Sequence, residues 1–285
     1  MVKPAGRGPL LATERRLPGF PGRSLDEARR ATLVSERAIG RATGAVRRAQ
    51  QAPGLTILLI HNTLGADAAR LERCVERHTE RFVSFAHARG ATDRTPDRAI
   101  GPGQVALSFD DGFASNLDMA RRLARLGVAA CFYVPTDVIG LDKAASDAFF
   151  GRPQAEGVLG WADLEELLRL GHVVGSHSRR HVPLAGLSEA QAEDQVKGSL
   201  AVLRDRLGAA GHYAWPLGAL RYAPVASVVT WCQEAGAVAA SGVRGVNTPE
   251  RYAVEGYLRR DAVDLRWLAT DLDVFAVRAH RAGRS

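Results

Sequence analysis

Val105-Ala-Leu-Ser-Phe-Asp110-Asp111-Gly112 is the stretch on which the fold turns. Five mostly apolar residues read as a buried strand, and two adjacent carboxylates follow at once. Burying bare carboxylates is costly. Both Asp are therefore expected to leave the strand at its C-terminal end, where α/β barrels and open sheets keep their sites. Gly112 permits a sharp exit, and Ser115 or Asn116 is placed to cap the helix that follows.

Outward from this stretch the chain alternates strand and helix. Leu55-Thr-Ile-Leu-Leu-Ile60 is a continuously apolar strand ending at His61-Asn62, and Asp67 to Ala88 reads as a helix with Leu71, Val75, Phe82 and Ala86 on one face. A helix closed by Gly127 precedes a strand over residues 128–134. Trp161 opens a short helix, and a strand runs from His172 to Ser176. Ser188-Glu-Ala-Gln191 is a capping box that starts a helix reaching Gly208. Strands are expected over 213–216 and 237–241 with a helix between them, then a short strand over 257–260 and a short helix from Asp264. Six or seven such units without hairpin turns predict parallel strands with right-handed crossovers. About seven units suffice to close a distorted, incomplete (β/α) barrel; an open doubly wound sheet is the alternative, and no glycine-rich phosphate loop supports it. The connection over 135–160, with Phe149-Phe150 inside it, is long enough to be a lid or binding loop.

The chain is 285 residues long, 46% hydrophobic and 24% charged, which suits one large α/β domain over 53–285 behind an N-terminal arm and helix over 1–52. Residues 1–24, with Pro4, Pro18 and Pro21, read as a flexible arm. From Asp26 to Gln51 alanines at helical spacing read as a helix on the domain's outside, with weak membrane-surface contact as a second use of residues 1–50. The net charge of +7 comes mainly from Arg, with Lys only at 3, 143 and 197. No basic–aromatic interleaving accompanies it, so no nucleic acid is expected as partner. Cys74, Cys131 and Cys232 form no CxxC and fit unpaired thiols. No bilayer-spanning run and no export signal are visible, so the expected location is cytoplasmic or membrane-associated. The oligomeric state is left open.

The second chemical motif is His177-Ser-Arg-Arg-His181, at the end of the His172–Ser176 strand. Two His four residues apart share one face of a helical turn, a spacing at which both imidazoles reach one metal. Alone, Asp-Asp-Gly is more often a capped turn, and His-x-x-x-His two unrelated surface residues. Together they supply the one-carboxylate, two-imidazole set that leaves a coordination position open for water.

Ser108-Phe-Asp110-Asp111-Gly112, His177-Ser-x-x-His181 and Trp215-Pro216-Leu217-Gly218 resemble the successive motifs of the polysaccharide deacetylase family, carbohydrate esterase family 4, with its NodB homology domain. The resemblance covers roughly residues 55–260. It implies a distorted, incomplete (β/α) barrel and hydrolysis of N-acetyl groups from amino sugars, with release of acetate. It implies Asp110 as general base, and Asp111, His177 and His181 as ligands of one divalent ion, most often zinc, with nickel, cobalt or iron in some members. The implied partner is an N-acetylated glycan or sugar precursor. Leu58-Leu-Ile-His61-Asn62 is similar to the circularly permuted poly-N-acetylglucosamine deacetylase branch, in which the acid His comes first. His61 is therefore the expected general acid, and His280 the alternative.

The family's usual Arg before the third motif's Pro is replaced near Ala214. Tyr213, Trp215 or Arg221 is expected to substitute in part. Trp215, with Tyr213 and Pro216, is expected to line the substrate. His172 is expected to pack at a strand start, and Asn247 and Arg259 are given no chemistry. Two rival readings stand beside the deacetylase: hydrolysis of another C–N bond in a small amide or ureide, and a catalytically weakened glycan-binding relative.

Overall fold

The computed structural model describes residue 32, residues 34–86, residue 92, residues 100–208 and residues 210–282. The arm over 1–24, the first turns of the helix expected from Asp26, and most of the loop from Gly90 lie outside the described residues.

Six strands lie side by side in chain order: β1 (Leu55–Ile60), β2 (Gln104–Phe109), β3 (Cys131–Val134), β4 (Val173–Ser176), β5 (His212–Ala214) and β6 (Val238–Ala240). All five pairings are parallel. Each strand is buried on both faces, which is why β1 reads as six apolar or small residues without alternation. Leu55 and Ile57 of β1, Ala106, Cys131, Tyr133, Ala214 and Ala240 pack inside the sheet's curve, and Phe85 packs among them. Leu58, Ile60, Leu107, Phe109, Phe132 and Val134 pack outward under the helices.

Closure comes from elements too short to carry a periodic signal. β7 (Val246–Asn247) pairs antiparallel with β1, β8 (Tyr257–Leu258) pairs with β6, and β9 (Asp261–Ala262) pairs with β1. The chain thus crosses from one sheet edge to the other between Leu258 and Asp261, making the barrel nearly closed. Asn247 clamps this crossing. Its Nδ2 donates to the carbonyls of Leu55 (3.1 Å) and Arg259 (2.9 Å), and its Oδ1 accepts the Arg259 N–H (2.7 Å).

The helices include α1 (Ala45–Gln51), α2 (Ala66–Arg77), α3 (Ser115–Arg125), α4 (Lys143–Phe150) and α5 (Trp161–Arg169). α2 ends well before Ala88. Thr79 turns its hydroxyl back onto the Val75 carbonyl, and Phe82 instead bridges to Val105. The long 135–160 connection contains α4, capped by Asp142, which accepts the Ala145 N–H. The capping box forms as expected between Ser188 and Gln191. The last helix, α6 (Leu265–Ala282), is long rather than short, and its Ala276 and Val277 pack on Val46 and Ala49 of α1. Among the described residues no helix is long and apolar enough to cross a membrane.

His172 ties two of these layers together. Its Nδ1 accepts the Ala130 N–H (3.0 Å), which fixes the tautomer, and its Nε2–H donates to the Ala120 carbonyl of α3 (2.9 Å). Burial lowers its pKa against one supporting hydrogen bond. The unfolded chain therefore takes up this proton first as pH falls below about 6.5, and stability declines by at most about 1.4 kcal/mol per pH unit from this group. The thermal midpoint is expected to fall more steeply between pH 6.5 and 5 in the parent chain than in His172→Gln. Equal slopes would exclude this role.

Candidate active site

Asp110 and Asp111 follow the last residue of β2, at the strands' C-terminal ends. The Asp110 N–H is held by the Ile60 carbonyl (2.8 Å), and Asp111 sits in the left-handed region at φ 71. Gly112 is also left-handed, and a Cβ there would come within 2.9 Å of Val134 Cγ1, so this exit requires glycine. α3 is capped differently from expectation. Its N-cap is Ala114 without a side-chain bond, and the Ser115 N–H and hydroxyl are bound instead by the Glu156 carboxylate.

The two histidines converge, though without the helical turn expected between them. Residues 177–181 form a loop in which Ser178 (φ 68) and His181 (φ 51) are left-handed, and Ser178 Oγ accepts the His181 N–H (3.1 Å). Such conformations cost about 1–3 kcal/mol each and persist where surrounding structure enforces them. His177 Nδ1–H donates to the Ala214 carbonyl (2.8 Å), which turns the Nε2 lone pair toward the carboxylates. Burial pushes the His177 imidazole down to about 4, so it is neutral and able to act as a ligand.

Asp111 Oδ1 lies 3.1 Å from His181 Nε2 and 3.7 Å from His177 Nε2, in both cases outside hydrogen-bond geometry. It is buried and has no hydrogen-bond partner. The ligand atoms of Asp111, His177 and His181 all lie within 4.8 Å of one another. A buried carboxylate oxygen facing two imidazole nitrogens with no donor of its own has the chemistry of a cation site, so this residue set fits a divalent ion.

Asp110 is held by a residue to which sequence reading gives no role. Arg260 is fully buried in the closing segment between β8 and β9. Its guanidinium grips Asp110 through both oxygens (Nη1–Oδ1 2.6 Å, Nη2–Oδ2 3.0 Å), donates from Nε to the Ser241 carbonyl (2.9 Å), and lies over the Tyr133 ring at 4.6 Å. Burial would push the Asp110 carboxyl up, but the Arg260 charge and its hydrogen bonds hold it below the ordinary carboxylate range. Asp110 Oδ2 also stands 3.7 Å from His177 Nε2, so the paired carboxylate borders the ligand set.

The expected substitutes for an orienting Arg do not reach Asp110. Tyr213 and Trp215 are fully buried and point outward into the helical shell, where Trp215 packs edge-on against Tyr257 at 5.3 Å. Strand alternation sends Ala214 inward instead. Tyr213 and Trp215 therefore offer no surface to a substrate, and Pro216 is buried beside them. Arg221 is exposed and stacks on Tyr222. The surface at this point is supplied by Leu217, half-exposed at φ 63.

His61 follows β1 directly and is exposed at the same mouth. His280 lines a cavity of about 300 Å³ between α1 and α6, together with Arg48 and Ala52. Ala52 stands before β1, and its carbonyl receives the Gly103 N–H just before β2, so this cavity lies at the opposite ends of the strands. That placement removes His280 as an alternative acid.

Residues 97–229 match the family model for polysaccharide deacetylase. Over that span the chain is similar to polysaccharide deacetylases. The matched span holds Asp110, Asp111, His177 and His181, but neither His61 nor Arg260. Among solved structures, IcaB from Ammonifex degensii aligns with a TM-score of 0.63 at 20% identity, covering 80% of this chain and 98% of that one. The deacetylase PplD from Streptococcus pyogenes, in complex with acetate, aligns with a TM-score of 0.61 at 15% identity over 78% and 97%. The BpsB deacetylase domain from Bordetella bronchiseptica gives 0.54 at 19% identity over 75% and 98%. At these identities the likeness is one of fold. No curated protein sequence matches the chain.

Proposed function

We propose that this chain is a metal-dependent hydrolase that removes N-acetyl groups from amino sugars of a polysaccharide or glycan precursor and releases acetate. The observation that carries this reading is the buried, donorless Asp111 oxygen facing two imidazoles, beside a second carboxylate locked by a buried Arg. Asp111, His177 and His181 would hold one divalent ion. The set of one oxygen and two nitrogen ligands favours zinc, with nickel, cobalt or iron as substitutes. Bound there, such an ion would supply Lewis-acid chemistry, polarising the acetyl carbonyl and acidifying a water.

The remaining work falls to the chain's own groups. Asp110 takes the proton of the attacking water. Arg260 keeps Asp110 ionised and fixes its plane, so that it need not reorient during the reaction. His61, from the neighbouring strand end, gives a proton to the leaving amine. The position of His61 before the other motifs, together with alignment to nearly the whole of IcaB and BpsB, supports placement in the permuted branch. The weakened-relative reading rests on the missing late His and the missing Arg; His61 stands in for the first, and Arg260 supplies an equivalent of the second contact from elsewhere in the barrel. A glycan partner, no nucleic acid, and weak surface contact with membranes through residues 1–50 complete the proposal.

The test is acetate release by metal-replete protein from N-acetylglucosamine oligomers, set against a panel of small amides and ureides. Release from the oligomers is expected. Turnover of the small amides with none of the oligomers would replace this reading with the other C–N hydrolase.

A further inference from the structure

The acid loop is held in a way that the chemistry above does not use. Among the described residues no hydrogen bond restrains the His61 ring; what is restrained is its backbone. Asn116 Nδ2 donates to the His61 carbonyl (3.1 Å). Two residues on, the Thr63 N–H donates to Ser115 Oγ (3.0 Å), and Thr63 Oγ1 donates to the Ser115 carbonyl (3.1 Å). Asn116 and Thr63 are both buried. Ser115 is held in turn by Glu156. The carboxylate accepts the Ser115 backbone N–H and, at 2.8 Å, its hydroxyl proton. Because that proton points to Glu156, the Ser115 oxygen keeps a lone pair for Thr63. The negative charge also suits the N-terminus of α3, which has no cap of its own.

Glu156 belongs to the long connection between β3 and α5, which meets the site at three other points. The Ala114 N–H donates to the Gly157 carbonyl (3.0 Å), and the Leu159 N–H donates to the Gly112 carbonyl (2.8 Å). Phe150 of α4 lies against the His181 ring at 5.8 Å. One half-buried carboxylate therefore joins this connection to the turn that presents His61.

We infer that Glu156 is a positioning residue for the general acid, acting through Ser115 and Thr63 to fix the turn 61–63. This rests on the deacetylase reading. Its consequence is specific to leaving-group protonation: an amine must be protonated to leave, whereas an activated aryl oxide leaves without help. Loss of the Glu156 link should therefore slow amide cleavage selectively, while a general loosening of the barrel would slow both substrates alike.

The experiment compares kcat for acetate release from an N-acetylglucosamine oligomer with kcat for hydrolysis of 4-nitrophenyl acetate. It uses the full chain and the variants Glu156→Gln, Ser115→Ala, His61→Ala and His61→Ala/Glu156→Gln. The amide-to-ester ratio is expected to fall about tenfold in Glu156→Gln and in Ser115→Ala, part of the hundredfold or more that general acids supply. The double variant should match His61→Ala alone, because a positioning residue has nothing left to position. Ser115→Ala keeps the Glu156 bond to the backbone N–H, so it reports on the link even if Glu156→Gln folds poorly. An unchanged ratio in both single variants, or a double variant weaker than His61→Ala by the full Glu156→Gln factor, would overturn the inference alone. A parent chain that releases no acetate from the oligomer would overturn the deacetylase reading and the inference with it.

Discussion

Asp110→Asn is expected to keep one divalent ion per chain and to lose at least about a hundredfold in kcat for acetate release, the scale on which positioned general bases act. The substitution preserves shape and leaves the three ligand residues in place. It removes only the lone pairs basic enough to accept a proton from water. It also takes the negative charge away from Arg260, which is fully buried with few other acceptors. Some loss of stability should therefore accompany the loss of turnover, and kcat is to be measured well below the variant's thermal midpoint. Turnover within threefold of the parent would exclude Asp110 as the base.

Arg260→Met is expected to destabilise the fold by about 3–5 kcal/mol, because it strands Asp110 as a buried unpaired charge. Activity should fall with it, since among the described residues nothing else holds both carboxylate oxygens. The pair can be separated from its parts. Asp110→Asn/Arg260→Met removes both charges, and its stability loss should be clearly smaller than the sum of the single variants, as expected of groups in direct contact. Additive losses in chemical denaturation would mean that the 2.6 and 3.0 Å contacts carry no net coupling.

What could be read in the sequence follows from length of pattern. β1 and β2 are long and wholly buried, so Leu55–Ile60 and Val105–Phe109 declare themselves, and the carboxylates at the second exit locate the site. The strand–helix alternation was enough to predict a barrel-like sheet. Asp111, His177 and His181 were legible because metal-ligand chemistry needs particular residue types. Arg260 was not, for two reasons. Its partner Asp110 lies 150 residues away, and its flanking strands are two residues each, too short for any period to show. Tyr213 and Trp215 misled because His212-Tyr-Ala-Trp is apolar on both faces, so alternation alone gave no inside or outside. The same short-range blindness hid Glu156, which caps α3 from 41 residues away.

Asp111, His177 and His181 are proposed to hold a single divalent ion. Elemental analysis of purified, dialysed protein measures this most directly. The parent chain and Asp110→Asn are predicted to carry one equivalent, and Asp111→Ala and His181→Ala close to none. An Asp111→Ala protein that is folded and retains a full equivalent would exclude Asp111 as a ligand.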